Sequence, residues 1–279
     1  DFLREEPEGF VRYLVQGVAE EYYVGLADRA HYLPASRSGI MLGHKTLTSS
    51  IVERASLAWL EPLEISTLPG VITDLIRALL LLGREPQPSS KIQNVVSFLE
   101  GDVMRGTVDV DRSLPYPELL YDQSGHRFHL HQVSSMVAEM APLVLFLKYL
   151  VRRGDLLIVE EPESHLDPNN QRNVARALAM LVNSGVKVLL TTHSDYFINQ
   201  LNNLLLLSEV SSSKRLRMGY KASEVLNPTD VAAYLFRREE DGTQVDALEV
   251  TASTGIPTER FAEVHSELYN QAITLERSR

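Results

Sequence analysis

Cysteine is missing from all 279 residues of the sequence, and basic residues are comparatively few. The lack of cysteine excludes disulfide bonds, a thiol nucleophile and any cysteine-ligated zinc or iron–sulfur site. It also fits a cytoplasmic protein. The 27 Lys and Arg are outnumbered by 37 Asp and Glu, which gives a net charge of −10. This balance argues against a surface coated for phosphate binding, but it leaves room for a small basic groove.

Long apolar runs are missing as well. A membrane-spanning helix needs about 18 apolar residues, whereas the best candidates, residues 75–82 and 141–151, are short and interrupted by Arg77 and Lys148. The acidic start of the chain does not resemble a signal peptide. We therefore expect no membrane partner. Because the chain begins with Asp1 and not with Met, we expect a processed protein or a piece of a longer one.

Hydrophobic patterning divides the chain into three ranges. Residues 1–125 mostly follow helical spacing, with helical patterns at residues 10–18, 57–63 and 71–82. They predict a largely helical arm or insertion, with period-two strands from about residue 105. Residues 126–208 alternate short apolar runs with helices, which is typical of an α/β fold with a parallel sheet covered by helices. Residues 209–279 predict a hairpin around Asp241-Gly242 and a last helix.

The central range contains two predicted core strands, Leu156–Val159 and Val186–Leu190. The first is a continuous apolar run without alternation, so we expect it to be buried on both faces. Between the strands lies a helix with clear boundaries. Asp167 is placed to cap it, Pro168 fits its first turn and Gly185 ends it.

Polar residues follow both predicted strands at the point where each strand ends. Glu160 and Glu161 follow the first strand, and His193 follows the second. Ligands of open α/β sheets bind at the carboxyl ends of the strands, and paired carboxylates there suit Mg²⁺. Because consecutive parallel strands share an edge, we expect Glu161 and His193 to lie close together. The alternative is a solvated strand end with two acids and a structural histidine.

The stretch LLIVEEPESHLD, residues 156–167, resembles the Walker B and D-loop segment of ABC-superfamily ATPase heads. It is most similar to bacterial AAA-family ATPases allied to the SMC, RecF and OLD groups. The resemblance implies a P-loop NTPase sheet of ABC type flanked by helices, with ATP and Mg²⁺ as ligands. It also implies that Glu160 supports the metal, that Glu161 polarises the attacking water and that His193 contacts the γ-phosphate.

The resemblance extends upstream to residues 133–139, which lie where these ATPases carry their signature motif. It implies that Ser134, Ser135 and Asp167 contact ATP bound to a second copy, so that a homodimer or higher homo-oligomer closes around the nucleotide. A helix N-terminus is a suitable place for such an anion. Met136 replaces the usual glycine and restricts the approach of the backbone. The alternative for the two serines is an ordinary helix cap.

A phosphate loop of the form G-x-x-x-x-G-K-S/T is not present in the sequence. The nearest imitation, residues 38–46, has its two glycines one residue too close, and His44 separates Gly43 from Lys45. We therefore expect the chain to be the C-terminal portion of a longer ATPase. Taken alone, it is expected to be a weak or inactive enzyme.

Four further features carry less specific signals. Arg37 is interpreted as a surface arginine in a turn, with a phosphate-facing role as the alternative. His126, His129 and His131 suggest a zinc site, but only His129 and His131 share a strand face and no third ligand at fixed spacing is evident. Asp109 and Asp111 resemble the acidic pair of a Toprim nuclease, but they precede the ATPase motifs, which argues against a nuclease. Residues 214–217 form a short basic cluster that is interpreted as a solvated helix face, with a DNA contact as the alternative.

The resemblance favours an ATP-hydrolysing head that acts in DNA maintenance or anti-phage defence, with an effector protein or nucleic acid as partner. Two alternatives stay open. One is a non-catalytic ATPase-like interaction module, for which the missing phosphate loop and Met136 are real losses. The other is a soluble ATPase subunit of a transporter.

Overall fold

The computed structural model describes residues 27–43, 70–80, 82, 88–112, 118–240 and 242–277. The strands of these ranges, in chain order, are β1 (Ala30–Leu33), β2 (Thr107–Asp111), β3 (Glu118–Gln123), β4 (His126–His129), β5 (Leu156–Glu160), β6 (Lys187–Thr191), β7 (Ala233–Glu239) and β8 (Gly242–Leu248). The helices are α1 (Gly70–Leu80), α2 (Ser90–Phe98), α3 (Ser135–Tyr149), α4 (Pro168–Asn183), α5 (Asp195–Leu206), α6 (Ser212–Arg217) and α7 (Glu259–Arg277). Residues 37–43 are also helical.

A parallel sheet in the order β1-β5-β6 positions the candidate site. β1 pairs with β5 so that Tyr32 is opposite Ile158, and β5 pairs with β6 so that Glu160 is opposite Thr191. Two antiparallel sheets accompany it, β2-β3-β4 and the β7-β8 hairpin. The predicted α/β class with a helix-flanked parallel sheet is therefore confirmed.

Helix α3 forms the centre of the hydrophobic core. Every side chain from Val137 to Tyr149 is buried, and the core around it includes side chains of α1, α2, α4 and β5. Ser134 caps its start, where the Ser134 Oγ accepts a hydrogen bond from the backbone N–H of Val137 at 3.4 Å. The buried Lys148 ties the other end of α3 to β2 and to the turn before it, through ion pairs with Glu100 at 2.8 Å and Asp109 at 2.9 Å.

The prediction that the first core strand is buried on both faces is wrong. Leu157 and Val159 of β5 are buried against the core, but Leu156 and Ile158 on the other face are only half-buried. On β6 the side chain of Leu189 is 56% exposed. A continuous apolar run cannot distinguish a strand covered on one face from one covered on both, because both faces carry apolar residues in either case.

Strand β1 lies within the range predicted to be a helical arm, yet it pairs with β5 of the central range. The structure therefore includes residues 30–33 in the sheet, while the division into ranges 1–125, 126–208 and 209–279 stays a prediction. The helical patterns predicted near residues 10–18 and 57–63 lie outside the described residues. Helix α1 and strand β2 fall where the spacing predicts a helix and a strand.

The helix between β5 and β6 has the predicted ends. Asp167 caps α4 by accepting hydrogen bonds from the backbone N–H groups of Asn169 and Asn170 at 3.0 and 3.3 Å. Gly185 follows the helix with φ of +92°, a conformation that glycine adopts without strain. The β7-β8 hairpin and α7 are also present as predicted. No helix among the described residues is long and apolar enough to span a bilayer.

Candidate functional site

The two polar strand ends meet at the carboxyl edge of the parallel sheet. Glu161 directly follows β5, and His193 lies two residues after β6. The Glu161 Oε1 and the His193 Nε2 are 4.0 Å apart, and the two side chains are 41% and 86% exposed. The structure therefore brings together the carboxylate and the imidazole that the sequence placed on neighbouring strands, and leaves both open to solvent.

The backbone of Glu161 is held in an unusual conformation. Its φ is +41°, a region that costs non-glycine residues about 1–3 kcal/mol and persists only where surrounding contacts enforce it. The Glu161 N–H donates to the backbone oxygen of Thr191 at 3.0 Å and to its Oγ1 at 3.2 Å. On the side chain, the Oε2 accepts a hydrogen bond from the Ser164 hydroxyl at 2.9 Å. These contacts fix the carboxylate at the turn that leaves β5.

Glu160 faces β1, and its carboxylate accepts two hydrogen bonds from the segment around that strand. The Tyr32 hydroxyl donates to Oε1, and the Ala35 N–H donates to Oε2 at 3.0 Å. Burial, together with the hydrogen bond to Glu160 and the charge of that carboxylate, raises the pKa of Tyr32 to about 12. Tyr32 is therefore a donor at every physiological pH. Each carboxylate oxygen of Glu160 keeps a lone pair for a further ligand.

Arg37 is buried under this edge, so both of its interpretations from sequence are wrong: it is neither a surface residue nor directed at an exposed phosphate site. It is 1% exposed and pairs with Glu139 of α3, with 2.7 Å between Arg37 Nη2 and Glu139 Oε1. The guanidinium also donates to the backbone oxygens of Glu160 at 2.7 Å and Glu161 at 3.2 Å. Burial lowers the pKa of Arg37, and the charge of Glu139 opposes that effect.

Glu163 connects the turn after β5 to the end of β6. Its side chain is 7% exposed, and its Oε1 accepts hydrogen bonds from the Thr192 hydroxyl at 2.5 Å and from the backbone N–H of His193 at 3.0 Å. The Oε2 is buried without a hydrogen-bond donor. The position of His193 is thus set by a buried carboxylate two residues away from Glu161.

The residues predicted to contact ATP of a second copy lie at two helix N-termini. Ser134 and Ser135 are exposed at the start of α3, and Asp167 is exposed at the start of α4. The two termini are adjacent, because the side-chain nitrogen of Asn170 lies 3.2 Å from the sulfur of Met136. Ser134 and Asp167 both act as caps within this chain, so the alternative interpretation of the serines as a cap holds for Ser134.

The weaker candidates have structural partners. His129 and His131 stack with ring centroids 5.4 Å apart, and the described part of the chain contains no group of three or more His, Asp and Glu that could hold a metal. Asp109 pairs with Lys148. Residues 37–43 of the imitation phosphate loop are helical, and residues 44–46 lie outside the described ranges. The basic residues 214–217 belong to α6, a helix without buried residues.

Sequence reasoning missed the roles of Tyr32, Glu139 and Glu163 and misjudged Arg37. The only local signal was the third acid of the segment, Glu163 after Pro162. The other contacts join residues more than 100 positions apart, such as Tyr32 with Glu160. Taken together, the arrangement presents a pre-positioned carboxylate and an imidazole to solvent above a buried layer of charged residues. Such an edge can orient a water molecule and receive the phosphates of a metal-bound nucleotide.

Comparison with protein families gives a match to the AAA ATPase domain over residues 64–198. That segment, called the AAA-type segment below, is similar to AAA-type ATPases and covers slightly less than half of the chain. It contains Glu160, Glu161 and His193, whereas Tyr32 and Arg37 precede it. The sequence resemblance to this class of ATPases is therefore confirmed for the AAA-type segment. A comparison with curated protein sequences gave no match.

Solved structures similar to this chain include three SMC proteins. The first is an SMC ATPase from a study of ATP-driven dimerization and DNA-stimulated activation (11% identity, TM-score 0.40, 64% of this chain and 91% of that one). The second is the Smc head bound to the C-winged helix domain of ScpA (12% identity, TM-score 0.41, 72% of this chain and 55% of that one). The third, from Pyrococcus furiosus, is an Smc head domain with an extended coiled coil bound to the C-terminal domain of ScpA (11% identity, TM-score 0.39, 64% of this chain and 38% of that one).

Proposed function

We propose that the chain is an ATP-binding and ATP-hydrolysing head of ABC type, in which Glu161 orients the attacking water and His193 contacts the γ-phosphate. The observation that supports this most is the 4.0 Å approach of Glu161 Oε1 to His193 Nε2 at the carboxyl edge of β5 and β6, with both side chains open to solvent. A carboxylate positioned in this way accepts the proton of a water molecule as it attacks. The AAA-type segment, which contains both residues, supports the same reaction.

Glu160 is the residue that would support Mg²⁺. Its carboxylate is oriented by Tyr32 and Ala35, and each oxygen has a lone pair left for a metal-bound water. Magnesium sites in ATPases use one or two carboxylates, with waters and phosphate oxygens completing the shell, so a cluster of three protein ligands is not required. When bound, the metal supplies charge neutralisation of the phosphate oxygens.

The dimeric arrangement is part of the proposal. Ser134, Ser135 and Asp167 are exposed at adjacent helix N-termini, where a phosphate of ATP held by a second copy would meet backbone N–H groups and positive helix ends. ATP would then join two copies, because contacts from both exist only in the closed dimer. A role in DNA maintenance or anti-phage defence, a nucleic-acid or effector partner and a cytoplasmic location stay predictions.

The decisive experiment compares Glu161→Gln with the wild type, both in this chain and in the gene product that contains it. Mant-ATP fluorescence measures nucleotide binding, and phosphate release measures turnover. We expect Glu161→Gln to keep nucleotide binding while turnover falls about 100-fold or more. It should also accumulate an ATP-dependent dimer in light scattering. Glu267→Gln, at an exposed position of α7, is the matched control and should behave like the wild type.

A second candidate function is a non-catalytic interaction module with an ATPase-like fold. Two observations favour it: the sequence has no phosphate loop, and Met136, at the place of the signature glycine, contacts Asn170. The same experiment separates the two functions. If neither the chain nor the gene product binds ATP, the module is correct. If Glu161→Gln hydrolyses ATP as fast as the wild type, the role proposed for Glu161 is wrong.

A further inference from the structure

The guanidinium of Arg37 lies under the sheet edge, away from solvent, and makes four hydrogen bonds and one ion pair. The Nε donates to the backbone oxygen of Glu139 at 3.2 Å, and Nη1 donates to the backbone oxygen of Pro34 at 3.1 Å. The remaining contacts are those with the Glu139 carboxylate and with the backbone oxygens of Glu160 and Glu161.

These contacts join three parts of the fold. Arg37 begins the helical segment 37–43 after β1, and Glu139 lies one turn inside α3. The two backbone oxygens belong to the last residue of β5 and to the first residue of the turn that follows it. The separations along the sequence are 102 residues to Glu139 and 123 to Glu160. A single buried side chain therefore fixes the turn after β5 relative to the helix that starts at Ser135.

The turn after β5 requires such support because of its backbone conformation. Glu161 has a positive φ, and its N–H donates to Thr191. Its backbone oxygen accepts hydrogen bonds from the Ser164 N–H at 3.0 Å and from Arg37 at 3.2 Å. Without the Arg37 contact, the backbone oxygens of Glu160 and Glu161 would each lose a charged donor, which would weaken the support of the strained φ. A relaxed φ would rotate the Glu161 carboxylate away from His193.

We infer that Arg37 is a positioning residue for Glu161, and that through Glu139 it couples the location of that carboxylate to helix α3. The inference rests on the proposed function for its catalytic consequence, but the geometric coupling can be measured without ATP. Glu139 is five residues from Ser134, about 7 Å along the helix axis. A displacement of the α3 N-terminus by a nucleotide would therefore reach Glu161 through one side chain.

The first test is a double-mutant cycle read by NMR. The His193 ring resonances report the presence of the Glu161 carboxylate 4.0 Å away. We expect Glu161→Gln to shift them in the wild type, and to shift them by less than half as much in an Arg37→Lys background. Lysine keeps the charge but has no planar fork of donors, so it cannot hold both backbone oxygens together with Glu139. An equal shift in both backgrounds would overturn the inference.

Lys148→Met is the matched control for loss of stability. Like Arg37, Lys148 is a buried cation with a carboxylate partner. It lies on α3, nine residues from Glu139, which is about 14 Å along the helix. In this background the Glu161→Gln shift of His193 should keep its full size. If Arg37→Lys fails to fold, Glu139→Gln replaces it, since it keeps the size of the side chain and removes one half of the ion pair. Its expected effect has the same direction, and a full-size shift there would again contradict the coupling.

The second test uses turnover in whichever form of the protein hydrolyses ATP. Arg37→Lys should lower kcat about 10- to 100-fold with KM changed less than twofold, because a misplaced catalytic group affects the chemical step. Combined with Glu161→Gln, it should cause no further loss, since Arg37 acts through Glu161. If the losses of kcat in the two single variants add up in the double variant, Arg37 acts independently of Glu161 and has only a structural role. Absence of turnover in every variant, with the NMR coupling present, would contradict the proposed function and leave the positioning role intact.

Discussion

Glu163 offers the sharpest test of how the sheet edge is held together. Its buried carboxylate accepts two hydrogen bonds, from the Thr192 hydroxyl and from the backbone N–H of His193, while its second oxygen has no donor. We compare Glu163→Ala, which removes both acceptor contacts, with Glu163→Gln, which keeps an acceptor at the same place and removes the charge. The two substitutions separate the hydrogen bonds from the buried charge.

The expected magnitudes follow from these contacts. Hydrogen bonds to a charged group contribute about 1.5–3 kcal/mol each, and the His193 N–H left without an acceptor costs about 1–3 kcal/mol. Relief of the buried charge, several kcal/mol in the opposite direction, offsets part of this loss. We therefore expect Glu163→Ala to lower the free energy of unfolding by about 2–3 kcal/mol. Glu163→Gln should remain within about 1 kcal/mol of the wild type, since its amide oxygen keeps both donors satisfied.

Urea unfolding followed by circular dichroism measures both free energies of unfolding. If the free energy depends on urea concentration with the same slope in all variants, they unfold from the same native state. If Glu163→Ala and Glu163→Gln are equally stable, the reasoning is refuted, because the hydrogen bonds accepted by Oε1 would then make no net contribution to the free energy of unfolding. A Glu163→Ala variant more stable than the wild type would mean that the cost of burying the carboxylate exceeds its contacts.

Three further predictions concern the same framework. Burial and the hydrogen bond to Glu160 raise the pKa of Tyr32 to about 12, so the folded state keeps a proton that the unfolded state releases near pH 10. This stabilisation, about 1 kcal/mol after allowance for solvent screening, is complete below pH 10 and is lost as the pH rises towards 12. Tyr32→Phe should therefore remove that part of the alkaline decline in unfolding free energy, and an identical decline in both proteins would contradict it. Lys148→Met should lower the free energy of unfolding in urea by about 3–5 kcal/mol, because it leaves the buried Glu100 carboxylate unpaired; a loss below about 1 kcal/mol would contradict this. Mant-ATP should bind at least about tenfold more tightly with Mg²⁺ than with EDTA, since the edge carries more carboxylates than cations; equal affinities would refute that electrostatic argument.

The parts of the site that the sequence could predict depend on local patterns. Two apolar runs joined by a capped helix imply adjacent parallel strands, and adjacency alone brings Glu161 and His193 to one edge. The cap residue Asp167 and the terminating Gly185 could be assigned for the same reason, because each acts on the few residues beside it. The predicted roles of Ser134 and Ser135 extend beyond this chain and stay predictions.

The remaining parts could not be predicted because they depend on contacts between distant residues. Strand β1 has only four residues, too few for a periodic signal, although it supplies the Tyr32 hydroxyl to Glu160. Arg37 reads as a turn residue from its neighbours, and only the folded chain brings Glu139 to its guanidinium. The exposure of Leu189 likewise depends on which face of the sheet the helices cover.

The distribution of buried charge argues against the simplest alternative, that Glu160 and Glu161 merely end a strand in solvent. A solvated strand end needs no supporting charges, whereas this edge has Arg37 buried beneath it with two further buried carboxylates, Glu139 and Glu163. Both oxygens of the Glu139 carboxylate and one oxygen of the Glu163 carboxylate lack a hydrogen-bond donor, and Glu161 has a strained φ. Such features lower stability and are expected where a fold gives up stability for a site. The exposed carboxylate and imidazole are held by this buried layer, as the proposed role in ATP hydrolysis requires.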